Sequence, residues 1–310
     1  MAEASFFKPS DTESLNYTQE IRQMMHGFGD SSEPLLESVK IIEDVVLQQM
    51  KTIVRRACEI ADRRANSKKS NVINGEDLLF LLRKDKVKLQ RIVKYLEIRE
   101  LGCSVQKLMA NDNPQTTVDS EQMDGTKKKV PFQSFLEQID NTGELLENSS
   151  FVDDIKRRRC IRADIASRSM DEMHYIKFSK ARRVSFANKS RNKFCDWICL
   201  DGDVTLSKQA QTILSYLAYE TVAQIVDLVF LVRQDQGKIM HGDAIDRQRL
   251  NYVNPFTFKP RYHSKNFVMK PLTPSEITEA LRRYWSPQLD MTGPFNRWSM
   301  RRPHLKLLSC

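Results

Sequence analysis

Cys195 and Cys199 stand four residues apart, a spacing that puts both thiols on one face of a helix. A tetrahedral zinc site needs four ligands, and no second Cys or His pair follows. The five histidines, at 26, 174, 241, 263 and 304, are isolated from one another. The chain has no Gly-x-Ser-x-Gly, no glycine-rich phosphate loop closing in Gly-Lys-Ser/Thr, and no His-Glu-x-x-His. Nothing here asks for a cofactor, a metal or a small-molecule substrate, so a binding role is expected rather than an enzyme. The six cysteines, in a chain that opens without an apolar signal segment, read as free thiols. The remaining polar residues of interest are Glu220 and Asp227. They lie seven apart on one face of an otherwise apolar run, where a lone charge is costly unless paired or at an edge. Pairing with Arg282 or Arg283 inside the fold would satisfy them.

The net charge of +9 is concentrated in one place. Residues 156–193 carry 13 Lys/Arg against 3 Asp/Glu, and the rest of the chain is close to neutral. Lys156, Arg157, Arg158, Arg159, Arg182 and Arg183 form two clusters that suit a nuclear-import signal, a solvated linker helix, or contact with nucleic-acid phosphates. No aromatic stacking series or base-reading module accompanies them, so nucleic-acid contact comes after import or plain solvation.

These residues must be positioned by helices. Gly (10) and Pro (11) are scarce among 310 residues, and helix formers dominate. A short amphipathic helix begins near Tyr17, with Ile21, Met24, Met25 and Phe28 on one side, and Gly27 and Gly29 end it. From Leu35 to Ala61 apolar residues recur at spacings of three and four, which predicts a rod of roughly 40 Å. A rod that long needs a partner of comparable length. Asn74 as N-cap and Asp77 two residues into the first turn open a third, short helix, and a further helix covers Val87–Leu101. Residues 110–130 read as a linker. Ser207–Gln234 is apolar nearly all round and contains Ile213–Val232. Its mid-span Glu220, Gln224 and Asp227 mark it as a central buried helix rather than a membrane span. An irregular stretch, Asp235–Pro271, holds five aromatic residues. Thr273, Pro274 and Glu276 then make a capping box for a last helix.

The two halves echo each other. Asn74-Gly-Glu-Asp-Leu-Leu-Phe-Leu-Leu-Arg-Lys aligns with Thr273-Pro-Ser-Glu-Ile-Thr-Glu-Ala-Leu-Arg-Arg, and Glu43-Asp44-Val45-Val46 with Glu220-Thr221-Val222-Ala223. Each half is a short–long–short helix set, and the economical solution is that each long helix covers the other. Short–long–short helices with an extended second loop resemble the histone fold. The blocks Asp77-Leu-Leu-Phe-Leu-Leu-Arg-Lys-Asp-Lys, Phe135-Leu-Glu-Gln-Ile-Asp-Asn-Thr-Gly-Glu-Leu-Leu and Leu217-Ala-Tyr-Glu-Thr-Val-Ala-Gln-Ile-Val-Asp-Leu further resemble the Spt-three-type subunits of the SAGA transcriptional coactivator.

The resemblance implies an all-α chain with two histone folds paired head to tail. It implies a nuclear role in holding TATA-binding protein and helping place it on promoters, beside other histone-fold and scaffold subunits. Glu220 and Asp227 become candidate contacts for TATA-binding protein. Asp77 and Glu276 become the acids of the clasp that histone folds make with a second-loop arginine, for which only Lys68 and Lys69 stand close at the first site. The expected division is a leader at 1–16, a first histone fold at 17–109, a linker with the basic segment at 110–184, a second histone fold at 185–290 with a long loop at 235–271, and a tail at 291–310. A stand-alone DNA-binding module acting through residues 156–193 is the alternative.

Overall fold

The computed structural model describes residues 15–64, 72–110, 132–140, 143, 153–168, 170–187, 191–198, 204–240, 270–286 and 307–309. The central portions of the 110–130 linker and of the 235–271 loop, with Trp298, lie outside these residues.

Helix α1 (Thr18–Phe28) buries Ile21, Met24 and Met25. It starts where the Glu43 carboxylate accepts from the Tyr17 N–H and the Thr18 hydroxyl, at 2.6 and 2.7 Å. It stops at Gly29, whose φ of 114° only glycine adopts without strain. Gly27, expected to help end the helix, stays inside it. A Cβ there would stand 3.2 Å from the Ala181 backbone, so this glycine serves a close helix approach instead.

Helix α2 (Leu36–Arg64) buries Val39, Ile42, Val46, Met50, Ile53, Ala57 and Ala61 along one stripe. Strand β1 (Val72–Ile73) and helix α3 (Gly75–Leu81) follow, then α4 (Lys86–Ala110), α5 (Gln133–Ile139), α6 (Asp154–Arg168), α7 (Glu172–Ala181) and α8 (Arg191–Ile198). Strand β2 (Thr205–Leu206) leads into α9 (Lys208–Met240), and α10 (Pro274–Trp285) is the last helix. Helix α9 runs six residues past the expected end at Gln234, taking the beginning of the predicted irregular stretch with it.

The long helices α2 and α9 pack on each other, and α1, α3 and α10 fill in around them. The Lys208–Gln236 portion of α9 is long and apolar enough to cross a membrane. Here Ile213, Leu214, Leu217, Val222, Ile225, Val226 and Val229 lie in the common core with α2.

Both ends of the α2–α9 pair are stitched loop to loop. At one end β1 and β2 form a parallel two-stranded ladder, with Val72 beside Thr205 and Ile73 beside Leu206. At the other, the Leu272 N–H donates to Asp30 Oδ1 at 2.9 Å and the Ser38 hydroxyl donates to the Leu272 carbonyl at 2.6 Å. The loop before one long helix therefore meets the loop after the other, at both ends, which is a head-to-tail arrangement of two short–long–short sets within one chain. Tyr17, Phe186, Phe194 and Trp197 form an aromatic cluster, with centroids 5.0–6.1 Å apart, that fastens α8 beside the start of α1.

Candidate functional site

The two carboxylates on α9 are both engaged, by arginines from other elements. Arg91 on α4 donates through Nη1 to Glu220 Oε2 at 3.0 Å and holds Asp153, at the start of α6, through two bonds of 2.5 and 2.8 Å. Arg159 on α6 reaches both acids, with Nη1 on the Glu220 carboxylate at 3.0 and 3.2 Å and Nε on Asp227 Oδ2 at 2.6 Å. Arg162, one helical turn further, donates to Asp227 Oδ1 at 2.6 Å and to the Phe28 carbonyl at 2.8 Å. Three arginines and three carboxylates thus alternate in one network, which ties α4 and α6 to the central helix.

Arg91 and Arg159 are 7% and 13% exposed, so the pairs are largely desolvated. Burial alone would lower both guanidinium pKa values. The Asp153 and Glu220 carboxylates at Arg91, and Glu220 and Asp227 at Arg159, more than offset it, and both values are raised. Burial likewise pushes the Asp153 acid up, but its bonds to Arg91 outweigh that and hold it below the usual carboxylate range. Burial, with Glu220 beside it, pushes the Tyr219 hydroxyl up to about 12.

The network floors an open cleft of about 260 Å3 between α1, α4, α6 and α9. Tyr95 and Tyr216 stack at 4.4 Å on one wall, and Phe28 meets Tyr219 at 4.9 Å on the other. Lys156, Arg182 and the exposed Ile98 stand at the margin.

Arg282 and Arg283, the expected partners of Glu220 and Asp227, lie elsewhere. Both hold Glu279 on their own helix, and Arg283 also reaches Asp235. Of the basic residues singled out in the sequence, Arg159 is turned inward, whereas Lys156, Arg157, Arg158, Arg182 and Arg183 are exposed on α6 and at the end of α7. Arg91, Arg162 and Asp153 escaped sequence reading. The one local hint is that Arg159 and Arg162 share a helical face with the buried Ala163.

Both capping boxes are present. The Asn74 N–H donates to Asp77 Oδ2 and the Thr273 N–H to Glu276 Oε2, each at 2.8 Å. The arginines that clasp these acids come from the long helices, Arg64 at the end of α2 and Arg233 two turns before the end of α9, not from the loop where a partner for Asp77 was sought. Arg64 sits 3.2 Å from Asp77, and the Asn74 amide oxygen, oriented to suit, accepts from Arg64 at 2.7 Å. Arg233 grips both oxygens of Glu276 at 2.6 and 2.9 Å and also donates to the Lys270 and Pro271 carbonyls. Registered on Arg64 and Arg233, the two halves set Glu43 opposite Thr212 rather than Glu220, so the proposed Glu43–Glu220 alignment is two turns out.

The cysteines at 58, 103, 160 and 195 are free thiols, and burial pushes the Cys195 thiol up. Among the described residues no group of His, Cys, Asp and Glu is placed to hold a metal ion.

Comparison with known proteins agrees with this architecture. The sequence model of the family described as transcription initiation factor IID, 18kD subunit, a histone-fold domain, matches residues 15–111. The chain is 29% identical over 285 residues to SAGA complex subunit Spt3 of Drosophila melanogaster, covering 88% of this chain and 68% of that one. It is 26% identical over 298 residues to SAGA complex subunit Spt3 of Schizosaccharomyces pombe, covering 89% and 92%. It is 33% identical over 84 residues to transcription initiation factor TFIID subunit 13 of Dictyostelium discoideum, covering 27% and 74%. The family model and the TFIID subunit 13 match span α1 to α4, so this part of the chain belongs to the histone-fold family of TFIID 18 kDa subunits, and the likeness to SAGA complex subunit Spt3 runs through both helix sets.

Proposed function

We propose that the chain is a nuclear, non-catalytic coactivator subunit in which two histone folds, α1–α3 and α8–α10, pair within one polypeptide. On this reading the pair binds TATA-binding protein and helps deliver it to promoters inside a SAGA-type complex, with other histone-fold and scaffold subunits on its remaining faces. The observation that carries it is the reciprocal loop pairing at both ends of α2 and α9, in a chain similar to SAGA subunits over nearly its whole length. Exposed Lys156, Arg157, Arg158, Arg182 and Arg183 are assigned to nuclear import, with DNA contact secondary.

The Glu220–Asp227 cluster is the candidate face for TATA-binding protein. Because Glu220 is neutralised by Arg91 and Arg159, a partner would meet the assembled network and its rim rather than a bare carboxylate. The test is binding of purified TATA-binding protein to Glu220→Gln and Glu220→Lys chains, with folding checked by circular dichroism. Glu220→Lys puts a fourth cation among three arginines and is expected to weaken binding at least tenfold, with Glu220→Gln intermediate. Folded variants that bind as tightly as wild type would remove this surface from the reading. The DNA-binding alternative predicts an affinity for duplex DNA that collapses between 50 and 200 mM salt.

A further inference from the structure

Leu307, Leu308 and Ser309 are almost completely buried, 3%, 1% and 3% exposed, although none of the three belongs to a helix or strand. Their backbone is held by three elements. The Leu308 N–H donates to Gln49 Oε1 on α2 at 3.0 Å, Lys88 on α4 donates to the Leu308 carbonyl at 3.3 Å, and the Tyr284 hydroxyl on α10 donates to the Leu307 carbonyl at 2.9 Å. The leucine side chains join the core shared by both helix sets. Main-chain bonds supplied by side chains of the groove, with pockets for adjacent aliphatic residues, are how a peptide-docking groove reads its ligand.

The seated segment fits imperfectly. Gln49 Nε2 and Ser309 Oγ are buried without a hydrogen-bond partner, and such unmade bonds weaken an occupant relative to one that makes them. The groove also continues past Leu307 into an open cleft of about 340 Å3 bordered by Arg56, Leu82, Lys84 and Tyr284, so it has room for a longer ligand.

From these observations we propose that this groove is a docking site for a segment of a partner protein bearing two adjacent leucines, and that residues 307–309 occupy it in cis as a displaceable plug. The partner segment presents Leu-Leu with its backbone toward Gln49, Lys88 and Tyr284, and its following residue supplies the acceptor that Gln49 Nε2 lacks. Leu308 and Ser309 also border a small gap shared with Arg91 and Glu220, so displacement opens that network to solvent. This last consequence, unlike the docking itself, rests on the reading of Glu220 given above.

The test uses the full chain carrying Leu307→Ala and Leu308→Ala together, and a fluorescein-labelled peptide with the sequence of residues 304–310 and serine in place of the last cysteine. By fluorescence anisotropy the variant, with its plug weakened, is expected to bind the peptide saturably and at least tenfold more tightly than wild type, which competes in cis. A peptide with both leucines replaced by alanine is expected not to bind. Excess unlabelled peptide is expected to speed hydrogen exchange in the 304–310 region of the wild-type chain. A cooperatively melting variant that ignores the peptide would overturn the proposal. So would a variant that no longer folds, because the segment would then be fixed core, and so would equal affinity for variant and wild type. None of these outcomes depends on TATA-binding protein.

Discussion

At the residue scale, Arg158 and Arg159 are neighbours in one basic run, and nothing in the run says which one turns inward. The partners of Arg159 are 61 and 68 residues away, so the choice is made by tertiary packing and leaves no local pattern. The two residues should behave differently. Arg159→Met leaves Glu220 with Arg91 and Asp227 with Arg162, but strips each of its shared cation in a site that is largely closed to water. A loss of about 3 kcal/mol is expected in urea unfolding. Arg158→Met, on the exposed face, should leave stability unchanged, and equal losses would refute the inward assignment. Asp30 makes a second residue-scale prediction. Burial raises its pKa above the ordinary 3.8, against the lowering effect of the Ser31 and Leu272 N–H bonds, and its Oδ2 is buried without a partner. The native state therefore holds the Asp30 proton more tightly than the unfolded chain. Its contribution is full below the ordinary value and is lost as pH rises through the raised one. The stability of wild type minus that of Asp30→Asn should fall across this window and then level off. A difference that stays constant from pH 3.5 to 7 would show that the carboxyl does not titrate there.

At the scale of elements, what was legible in the sequence is what depends on near neighbours. The caps of α3 and α10 could be read because an N-cap and its third helical residue are near neighbours in the chain. The stripe of α2 could be read because its period of burial is the period of the helix. The clasp arginines could not. Arg63-Arg64 at a helix end looks like ordinary complementing of the helix dipole, and only the return of α3 against α2 gives Arg64 an acid. Likewise α9 was expected to stop at Gln234, yet Arg283 bonds Asp235 on the extension and gives that turn a tertiary contact. The two clasps differ in strength. Arg233 makes four bonds in a partly closed site, whereas Arg64 makes one ion-pair contact of 3.2 Å and a bond to the neutral Asn74 amide, with over a third of its side chain in water. Arg233→Ala should cost about 2–3 kcal/mol and Arg64→Ala under about 1 kcal/mol, measured by the same unfolding experiment, and the reverse order would contradict the geometry. Burial raises the Glu276 pKa, but Arg233 and the Thr273 cap outweigh it and lower the value below 4.5. The clasp thus stabilises above that pH and is lost as acid titrates Glu276 through its lowered value. Arg233→Ala should flatten that part of the acid limb.

At the scale of the whole molecule, the question is whether α2 and α9 of one chain cover each other, or whether each long helix finds the α9 or α2 of a second copy. The contacts between them are reciprocal at both ends, and of the connection from α3 to α9 the described helices α4, α6 and α8 are held to the pair through Arg91, Arg159 and the aromatic cluster. Such a tether makes the pairing unimolecular. Association within a chain proceeds at an effective concentration set by the linker, on the order of millimolar for a short flexible one, and dilution does not change it. Had the pairing been between chains, a hundredfold dilution would remove roughly 2.7 kcal/mol of apparent stability, which is RT ln 100. For a chain of this size that would move the urea midpoint by about 1 M. The intramolecular pair therefore predicts one cooperative transition whose midpoint is the same at 0.1 and 10 μM protein, followed by circular dichroism at the higher concentration and tryptophan fluorescence at both. Trp197 and Trp285 report from the α8 and α10 sides of the pair. A midpoint that tracks dilution would mean exchanged partners, and the composite surface assigned to this subunit would then be built from two copies of the chain.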